Sequence, residues 1–334
     1  MGTGNYLILA IAACLDYLIG DPWGWPHPVR GMGWIIYQFV RGIVNDPLAT
    51  EEHYFTKTRI ITHRIRGIFL AIVLVIGSGG LGWIIVEAAR FIHPLFGVAV
   101  ESIILASCFA ARSLTDAADD VLQPLTQGDL AKARETLSNY VGRDTENLSS
   151  SEILRAVLET VTENATDGVM APLFYAIAGC LIPMVGAVPL ALAYKAASTL
   201  DSMVGYRAAP YTYIGWFSAK MEDVLTWLPC RLTVLTLALL SGKPRYVWSI
   251  CSRDATADPS PNSGWSECAY AAVLGVQVGG INWYQGVAKH KPLLGEAINP
   301  IAPEQIYQAT RLTRNCFLIW IAIAQTALIL LAYL

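Results

Sequence analysis

Two stretches of about 20 residues without any charged side chain dominate this sequence. They cover 67–86 and 315–334, and both are rich in Ile, Leu and Val. A helix needs about 20 consecutive apolar residues to cross a bilayer, so each stretch predicts a membrane span. Charged residues make up only 15% of the 334 residues, against about 25% in a soluble domain. The chain is therefore predicted to be a multi-span membrane protein. Its 10 Trp and 15 Tyr exclude a disordered chain.

Four other apolar stretches are shorter or interrupted. Residues 5–20 predict the first membrane segment, and 91–111 predict a span in which Glu101 faces protein or a cavity rather than lipid. Residues 232–242 cover about half a span, which is more typical of a buried or re-entrant helix. Residues 268–288 are uncharged but contain three amide side chains. A crossing and a non-crossing segment remain equal alternatives there.

The longest uncharged stretch, 168–194, is interrupted by Pro and Gly. It predicts either one kinked span or two antiparallel helices joined by a turn at about 183–187. Pro and Gly at this density favour the turn. Because Asp167 and Asp201 are nearly equidistant from that turn, the hairpin would bring both to one membrane surface.

The predicted fold class is all-α, a polytopic helical membrane protein with a helical hairpin and with polar cytoplasmic loops and helices that form the site. Residues 1–334 are predicted to be a single integral membrane domain. Its polar, site-forming segments are about 21–66, 112–168, 195–223 and 243–267. The first of these carries six Lys or Arg residues, so the positive-inside rule places it in the cytoplasm.

Several classes of function are excluded by what the sequence lacks. A net charge of −3 without basic clusters argues against a nucleic-acid partner. The seven cysteines contain no C-x-x-C pair, so they predict buried small hydrophobes rather than a disulfide or zinc framework. There is no Walker-type phosphate loop. The G-x-G-x-x-G match at 77–82 lies inside a predicted span and is interpreted as close helix packing.

A stripe of charged residues with a spacing of four precedes the long uncharged stretch. It consists of Arg155, Glu159, Glu163 and Asp167, which would lie along one helix face. Such a stripe is often only a solvated face. At a membrane boundary, three neighbouring carboxylates favour a cation instead, and Mg²⁺ binds one or two carboxylates together with substrate phosphates.

Other polar motifs lie between the apolar stretches. The segment 194–206 carries Lys195 and Asp201, and 20–30 carries His27 in a proline-flanked loop, which is more often an ordinary polar residue than a ligand. The turn 142–145 precedes a helix that Ser149 is predicted to begin through a capping box with Glu152. This turn is equally compatible with an anion site and with a simple turn. A further rigid polar segment covers 253–267.

Taken together, these motifs resemble one known family. They are LDYLIGDP and HPVR within 15–30, GRDT at 142–145, ETVTENATDGVMAPLFY at 159–175, YKAASTLDSMVGY at 194–206 and SPNSG at 260–264. In order and spacing they are similar to those of adenosylcobinamide-phosphate synthase, the CobD/CbiB membrane proteins of cobalamin biosynthesis. The resemblance extends from about residue 7 to about residue 300. The sequence departs from the family pattern at Ser198, Ala117 and Asp258.

The resemblance implies an ATP-dependent ligase that forms an amide. The propionate carboxylate of adenosylcobyric acid would be joined to the amine of (R)-1-amino-2-propanol phosphate or an ethanolamine phosphate-like amine. ATP would activate the carboxylate, most simply as an acyl phosphate, and ATP and Mg²⁺ are the implied cofactors. The implied partners are the corrinoid, the amino-alcohol phosphate and the lipid bilayer, with a homo-oligomer or contact with other cobalamin-assembly enzymes as further options. The implied location is the inner membrane, with the site facing the cytoplasm.

Site residues follow from matching the motifs. Glu163, Asp167 and Asp201 are expected to hold Mg²⁺ and ATP, and Lys195 to offset phosphate charge. Glu159 or His27 would accept the proton of the amine. The residues expected to bind substrate or ATP are Asp21, Arg30, Arg112, Arg143, Asp144, Asn164, Ser202, Tyr206, Arg253, Asn262 and Ser263. The competing classes are a secondary transporter, which also carries intramembrane charges, and a catalytically inactive membrane sensor on the same fold.

Overall fold

Helices make up most of the chain. The computed structural model describes residues 5–20, 27–46, 55–182 and 184–333. The helices in these ranges are α1 (Asn5–Ile19), α2 (Pro28–Val44), α3 (Lys57–Ile92), α4 (Pro94–Ala106), α5 (Ala111–Thr126), α6 (Leu130–Leu137), α7 (Ser150–Asn164), a π-helix (Ala165–Met170), α8 (Ala171–Leu181), α9 (Ala187–Val204), α10 (Trp216–Leu240), α11 (Pro244–Asp254), a 3-10 turn (Ala255–Ala257), α12 (Ser263–Leu274) and α13 (Pro303–Tyr333). Two strands, β1 (Gln277–Tyr284) and β2 (Val287–Gly295), form a hairpin. The predicted all-α class is confirmed, with this small sheet as an addition.

Four helical stretches are long and apolar enough to cross a membrane. They are Lys57–Ile92, Pro94–Thr126, Trp216–Leu240 and Pro303–Leu331. The two uncharged stretches that begin at residues 67 and 315 lie in the first and last of these. The second joins α4 to α5 through the short turn at 107–110. The protein therefore has the helices of a multi-pass membrane protein.

One prediction about an apolar segment is corrected. Residues 232–240 are not a separate half-span, because they form the second half of the 25-residue helix α10. Arg231 does not interrupt this helix. Its guanidinium donates a hydrogen bond to the Pro261 carbonyl at 2.9 Å. Asn5–Ile19 form the apolar helix α1, and the assignment of this segment as the first in the membrane stays a prediction.

Residues 268–288 do not form a membrane-spanning helix. Helix α12 ends at Gly275, which adopts the left-handed conformation, and the chain then turns back on itself as β1 and β2. Gln285 and Gly286 both have positive φ values, 51° and 76°, as a two-residue hairpin turn requires. The absence of charge in this stretch reflects burial of α12 and β1 in protein.

The chain divides into two compact units. Unit 1 contains 1–109, 172–225 and 321–334, and unit 2 contains 110–171 and 226–320. In unit 1, α3 packs along α9, and α4 packs on α1 and α3. In unit 2, α7 contacts α5, α12 and β1, while α12 also packs on α11 and β2. The single membrane domain over 1–334 stays a prediction.

Glycines let α3 approach α9 closely. A Cβ on Gly79 would lie 2.9 Å from the Pro189 carbonyl oxygen, and one on Gly82 would lie 2.6 Å from Leu192 Cδ1. Both distances are too short for a real Cβ. The glycine-rich run is thus a helix-packing surface, as its position in a span predicts.

Buried polar groups in unit 1 behave as the sequence predicts. Glu101 is 2% exposed and accepts a 2.6 Å hydrogen bond from Arg90, so it faces protein.

Residues 168–194 form two helices joined by a turn, since α8 ends at Leu181 and α9 begins at Ala187. Gly186, with φ +85°, precedes α9. All seven cysteines are free thiols, and only Cys14 is exposed.

Candidate functional site

Helix α7 carries the acidic stripe and begins where the sequence predicts. The Ser149 backbone N–H donates to Glu152 Oε2 at 2.7 Å, and the Glu152 N–H donates to Ser149 Oγ at 3.4 Å. This capping box fixes the helix start and therefore the face on which Glu159 and Glu163 lie. The face points into unit 2, because α7 packs on α12 and β1, so it is not a solvated face.

Glu159 is a buried carboxylate with both oxygens occupied. Its Oε2 accepts from Arg143 Nη2 at 2.6 Å, and its Oε1 accepts from the Gly279 N–H at 2.9 Å. The Glu159 and Arg143 side chains are 1% and 8% exposed. An acceptor already engaged twice is poorly suited to take a proton from a substrate amine. Its geometry instead joins α7 to β1.

Asn282 and Arg155 complete this connection. Asn282 Oδ1 accepts from Arg143 Nη1 and from Arg155 Nη2, each at 3.0 Å. Arg155 also donates to the carbonyls of Gly279 and Ile281. We call Arg143, Arg155, Glu159 and Asn282 the α7–β1 network. In this network the Arg143 guanidinium is engaged by other protein groups. Arg143 of the GRDT motif therefore has a structural role.

A second group of charges lies around Lys291. Lys291 on β2 donates to Glu267 Oε1 on α12 at 3.2 Å, and Glu267 is 1% exposed. Glu163 on α7 and Asp258 are half-buried, and both act electrostatically on Glu267 and Lys291. We call Glu163, Asp258, Glu267 and Lys291 the Lys291 cluster.

Burial, together with the neighbouring charges, strongly shifts the pKa values of the acids in this cluster. Burial raises the pKa of Glu267 to about 8; Lys291 opposes the shift, and Glu163 and Glu159 add to it. Burial likewise raises the pKa of Glu163, against the opposing effect of Lys291. Burial alone would lower the pKa of Lys291, but Glu267 and Glu163 raise it above its ordinary value. Strong perturbation by burial and specific partners is typical of functional sites.

A π-helical turn follows Glu163 and carries Asp167, which is half-buried. Ser266 of α12 donates to the Thr162 carbonyl at 2.6 Å, and its hydroxyl lies 2.7 Å from Thr166 Oγ1. An inserted hydroxyl of this kind accompanies a widened helix. Short π-helical turns are frequent at functional sites, and this one lies in the ENATDGVM motif.

The SPNSG segment forms a tight loop at the start of α12. Ser260 Oγ accepts from the backbone N–H groups of Asn262 and Ser263, each at 3.2 Å. Both residues are buried, at 2% and 9% exposure. Arg231 donates to the Pro261 carbonyl, and its guanidinium lies 4.4 Å from the centre of the Trp265 ring. The loop is thus held by its own contacts.

The turn at 142–145 has a structural function. Asp144 accepts from the backbone N–H groups of Gln285 and Gly286, at 2.9 and 2.8 Å, and so closes the β-hairpin turn. A cleft of about 810 Å³ lies beside it, lined in part by Trp283 and Glu146. Of the two alternatives for this turn, the geometry favours the structural one.

Three other predicted ligands in unit 2 lie outside the Lys291 cluster. Arg112 pairs with Asp116 at 2.8 Å and is exposed. Arg253 pairs with Asp254 at 2.6 Å and with Glu296 at 3.0 Å. The exposed Asn164 donates to the Thr160 carbonyl of its own helix at 2.9 Å.

The remaining predicted residues belong to unit 1. His27 begins α2, with Nδ1 accepting from the Val29 N–H at 3.2 Å, and Arg30 is exposed on the same helix. Lys195 and Asp201 are half-buried on α9. Ser202 donates to the Ser198 carbonyl at 2.9 Å, and Tyr206 is exposed beside Tyr211. Asp21 lies outside the described residues. The meeting of Asp167 and Asp201 at one membrane surface stays a prediction.

Comparison with known proteins extends these observations. The model of the family described as "CobD/Cbib protein" matches residues 9–313. The chain belongs to the CobD/CbiB family. It is 53% identical to the cobalamin biosynthesis protein CobD of Synechocystis sp. over 315 residues, which cover 93% of this chain and 88% of that protein. It is 41% identical to the cobalamin biosynthesis protein CbiB of Salmonella typhimurium over 330 residues, which cover 98% and 96% of the two chains. No solved structure matches the chain.

Membership in the CobD/CbiB family confirms the resemblance predicted from the motifs. The family and the names of these relatives indicate a role in cobalamin biosynthesis. Within the described parts of the chain, no group of three or more His, Cys, Asp or Glu side chains has a metal-binding arrangement.

For this CobD/CbiB chain, sequence reasoning did not assign a site role to Lys291, Glu267 or Asn282. One signal was available for Glu267, because it precedes 21 residues without any charge. Lys291 and Asn282 had no comparable signal, since only the β-hairpin brings them to α12 and α7.

Proposed function

We propose that this protein is an ATP-dependent ligase that joins the propionate carboxylate of adenosylcobyric acid to an amino-alcohol phosphate, (R)-1-amino-2-propanol phosphate or an ethanolamine phosphate-like amine. The observation that carries this proposal is the Lys291 cluster, a partly open group of carboxylates and one ammonium in a member of a cobalamin biosynthesis family. Amide formation from a carboxylate needs an activated acyl group and a deprotonated amine. Both demand charged groups positioned away from bulk water.

The acidic residues fit magnesium and nucleotide. Glu163 and Asp167 offer carboxylate oxygens, the donor type that Mg²⁺ prefers, and both are half-buried and thus within reach of solvent. A magnesium nucleotide needs only one or two protein carboxylates, because phosphates and water complete the shell. When bound, Mg²⁺ and ATP would supply the phosphoryl group that activates the corrinoid carboxylate.

The residues of the chain divide the other tasks. Glu163 and Asp167 would hold Mg²⁺ and ATP in unit 2, and the roles predicted for Asp201 and Lys195 on α9 of unit 1 stay predictions. Arg143 and Glu159 would act as positioning residues, since they tie α7 to β1. Of the two predicted proton acceptors, His27 stays a candidate, and Glu159 is disfavoured because both of its oxygens are engaged.

The protein would act at the inner membrane with its polar segments in the cytoplasm. The basic residues of α3 before its uncharged core, among them Arg59, Arg64 and Arg66, support this orientation through the positive-inside rule. The corrinoid, the amino-alcohol phosphate and the lipid bilayer would be the partners. Contacts with a second copy or with other cobalamin-assembly enzymes belong to the same proposal.

The test is release of ADP by the purified full-length protein in lipid nanodiscs. We expect release to require adenosylcobyric acid and the amine phosphate together. The Asp167→Asn variant should lose at least about 100-fold in rate, as expected when a group that binds a transferring phosphate is removed. Glu135→Gln, an exposed carboxylate on α6, is the matched control and should keep full activity.

Two outcomes would overturn the proposal. ADP release that is independent of either substrate would exclude amide ligation by this protein. No release at all from folded protein would favour a transporter or an inactive membrane sensor. Near-normal activity of Asp167→Asn would remove Asp167 from the site.

A further inference from the structure

The region around Lys291 contains more negative than positive charge. Four carboxyl groups interact there, those of Glu159, Glu163, Glu267 and Asp258, and two cations face them, Arg143 and Lys291. Arg143 is committed to Glu159 by a 2.6 Å ion pair. Lys291 thus remains as the cation that faces the other three carboxyl groups. Charging all three would cost free energy without further cations, and a bound cation would favour their charged forms.

Glu267 shows where such a cation would bind. Its Oε1 accepts from Lys291, whereas its buried Oε2 has no hydrogen-bond donor in the part of the chain that the structure describes. Asp258 Oδ2 is likewise buried without a donor among the described residues. A buried acceptor that has no hydrogen-bond donor destabilises a protein, and more so when it is charged. These two oxygens are therefore suited to a ligand that brings N–H donors.

The same region is reachable from outside. The Lys291 side chain is 28% exposed, and both Glu163 and Asp258 are half-buried. Glu267 on α12, by contrast, is 1% exposed.

We propose that Glu267 and Asp258 bind the ammonium group of the amine substrate, next to Glu163, which the proposed function assigns to Mg²⁺ and ATP. This inference rests on the proposed ligase function and names the part of the site that recognises the amine. It assigns Glu267 as a binding residue that fixes the nitrogen, and therefore as a determinant of specificity for amino-alcohol phosphates over their hydroxyl analogues.

The chemistry of an ammonium fits this place. An alkylammonium carries three N–H donors and one positive charge, which matches two donor-free oxygens and an excess of carboxylate. Lys291 Nζ already shows that an ammonium fits at 3.2 Å from Glu267. A neutral hydroxyl in the same place would leave the negative charge uncompensated. Burial raises the pKa of Glu267, so a bound cation would also favour its charged form.

The test measures binding without ATP, on full-length protein in nanodiscs. Isothermal titration would compare (R)-1-amino-2-propanol phosphate with 1,2-propanediol phosphate, which replaces only the ammonium. A charge-assisted hydrogen bond contributes about 1.5–3 kcal/mol, so we expect the wild type to prefer the amine about 10- to 100-fold. Glu267→Gln should lose most of this preference and Asp258→Asn part of it. Glu135→Gln should keep it.

Each of the other outcomes either overturns or supports the ammonium site. An unchanged preference in folded Glu267→Gln and Asp258→Asn would overturn the proposal. Displacement of the amine phosphate from the wild type by MgCl₂ alone would show that Mg²⁺ takes the oxygens of Glu267 and Asp258, and would also overturn the proposal. A clear preference for the amine without amine-dependent ADP release would instead uphold the ammonium site and refute the ligase function.

Discussion

Unit 2 contains two buried glutamates, each beside a basic residue. They differ in how many of their carboxyl oxygens accept a hydrogen bond. Glu159, in the α7–β1 network, has a donor on each oxygen, Arg143 at 2.6 Å and the Gly279 N–H at 2.9 Å. Glu267, in the Lys291 cluster, has one donor at 3.2 Å and one oxygen without a donor among the described residues. Both are 1% exposed. Burial alone therefore does not distinguish a structural carboxylate from a ligand-binding one, whereas the count of donors does.

The largest expected effect comes from breaking the complete pair. Arg143→Met would leave Glu159 buried opposite an apolar side chain, which typically costs about 3–5 kcal/mol in the free energy of unfolding. Denaturant unfolding of the detergent-solubilised protein measures this loss. Arg112→Met is the matched control, because its exposed pair with Asp116 should contribute less than about 1 kcal/mol. Equal losses in the two variants would contradict the structural role of Arg143.

A smaller effect is expected at Asn282, which links both arginines of the network. Asn282→Ala would remove the acceptor that Arg143 and Arg155 share and so cost about 1–3 kcal/mol of stability. The loss should fall to near zero in an Arg143→Met background, where the network is already broken. Additive losses in the double variant would show that Asn282 acts independently of Arg143.

The pH dependence of stability sharpens the comparison further. The folded-state pKa of Glu267 is about 8, above its ordinary value of 4.5. Between these two values the folded protein holds a proton that the unfolded chain releases, so stability falls as pH rises from about 4.5 to 8. Glu267→Gln removes this contribution. We expect wild-type stability, measured relative to that variant, to decline over this window in thermal unfolding. A rise would place the pKa below its ordinary value.

The smallest expected effect on stability is that of Glu267→Gln near pH 6. In the protein without ligand the carboxyl is mostly protonated there, and glutamine is its neutral isostere, so the free energy of unfolding should change by less than about 1 kcal/mol. The same change should nonetheless remove most of the preference for the amine phosphate. A loss as large as that of Arg143→Met would mean that Glu267 is structural too.

The sequence predicted the helical class, the longest spans, the α8–α9 turn and the start of α7 from local signals. These signals are an absence of charge over about 20 residues, Pro and Gly within an apolar stretch, and a Ser-x-x-Glu box. Each is contained in one continuous segment of the chain. It did not predict the β-hairpin at 277–295, because its turn is Gln285–Gly286 rather than a common turn pair. Nor did it distinguish Arg143 and Asp144, whose contacts are structural, from residues that are suited to bind a ligand.

The sequence by itself determined that this chain is a helical membrane protein of the CobD/CbiB family, since apolar length and ordered motifs are properties of the linear chain. Tertiary structure decided which carboxylates are satisfied. Glu159 pairs with Arg143, sixteen residues away in the chain. Glu267 accepts from Lys291 on one oxygen, and its other oxygen has no donor among the described residues. Whether a charge is paired depends on distances between segments remote in sequence, and only folding sets those distances.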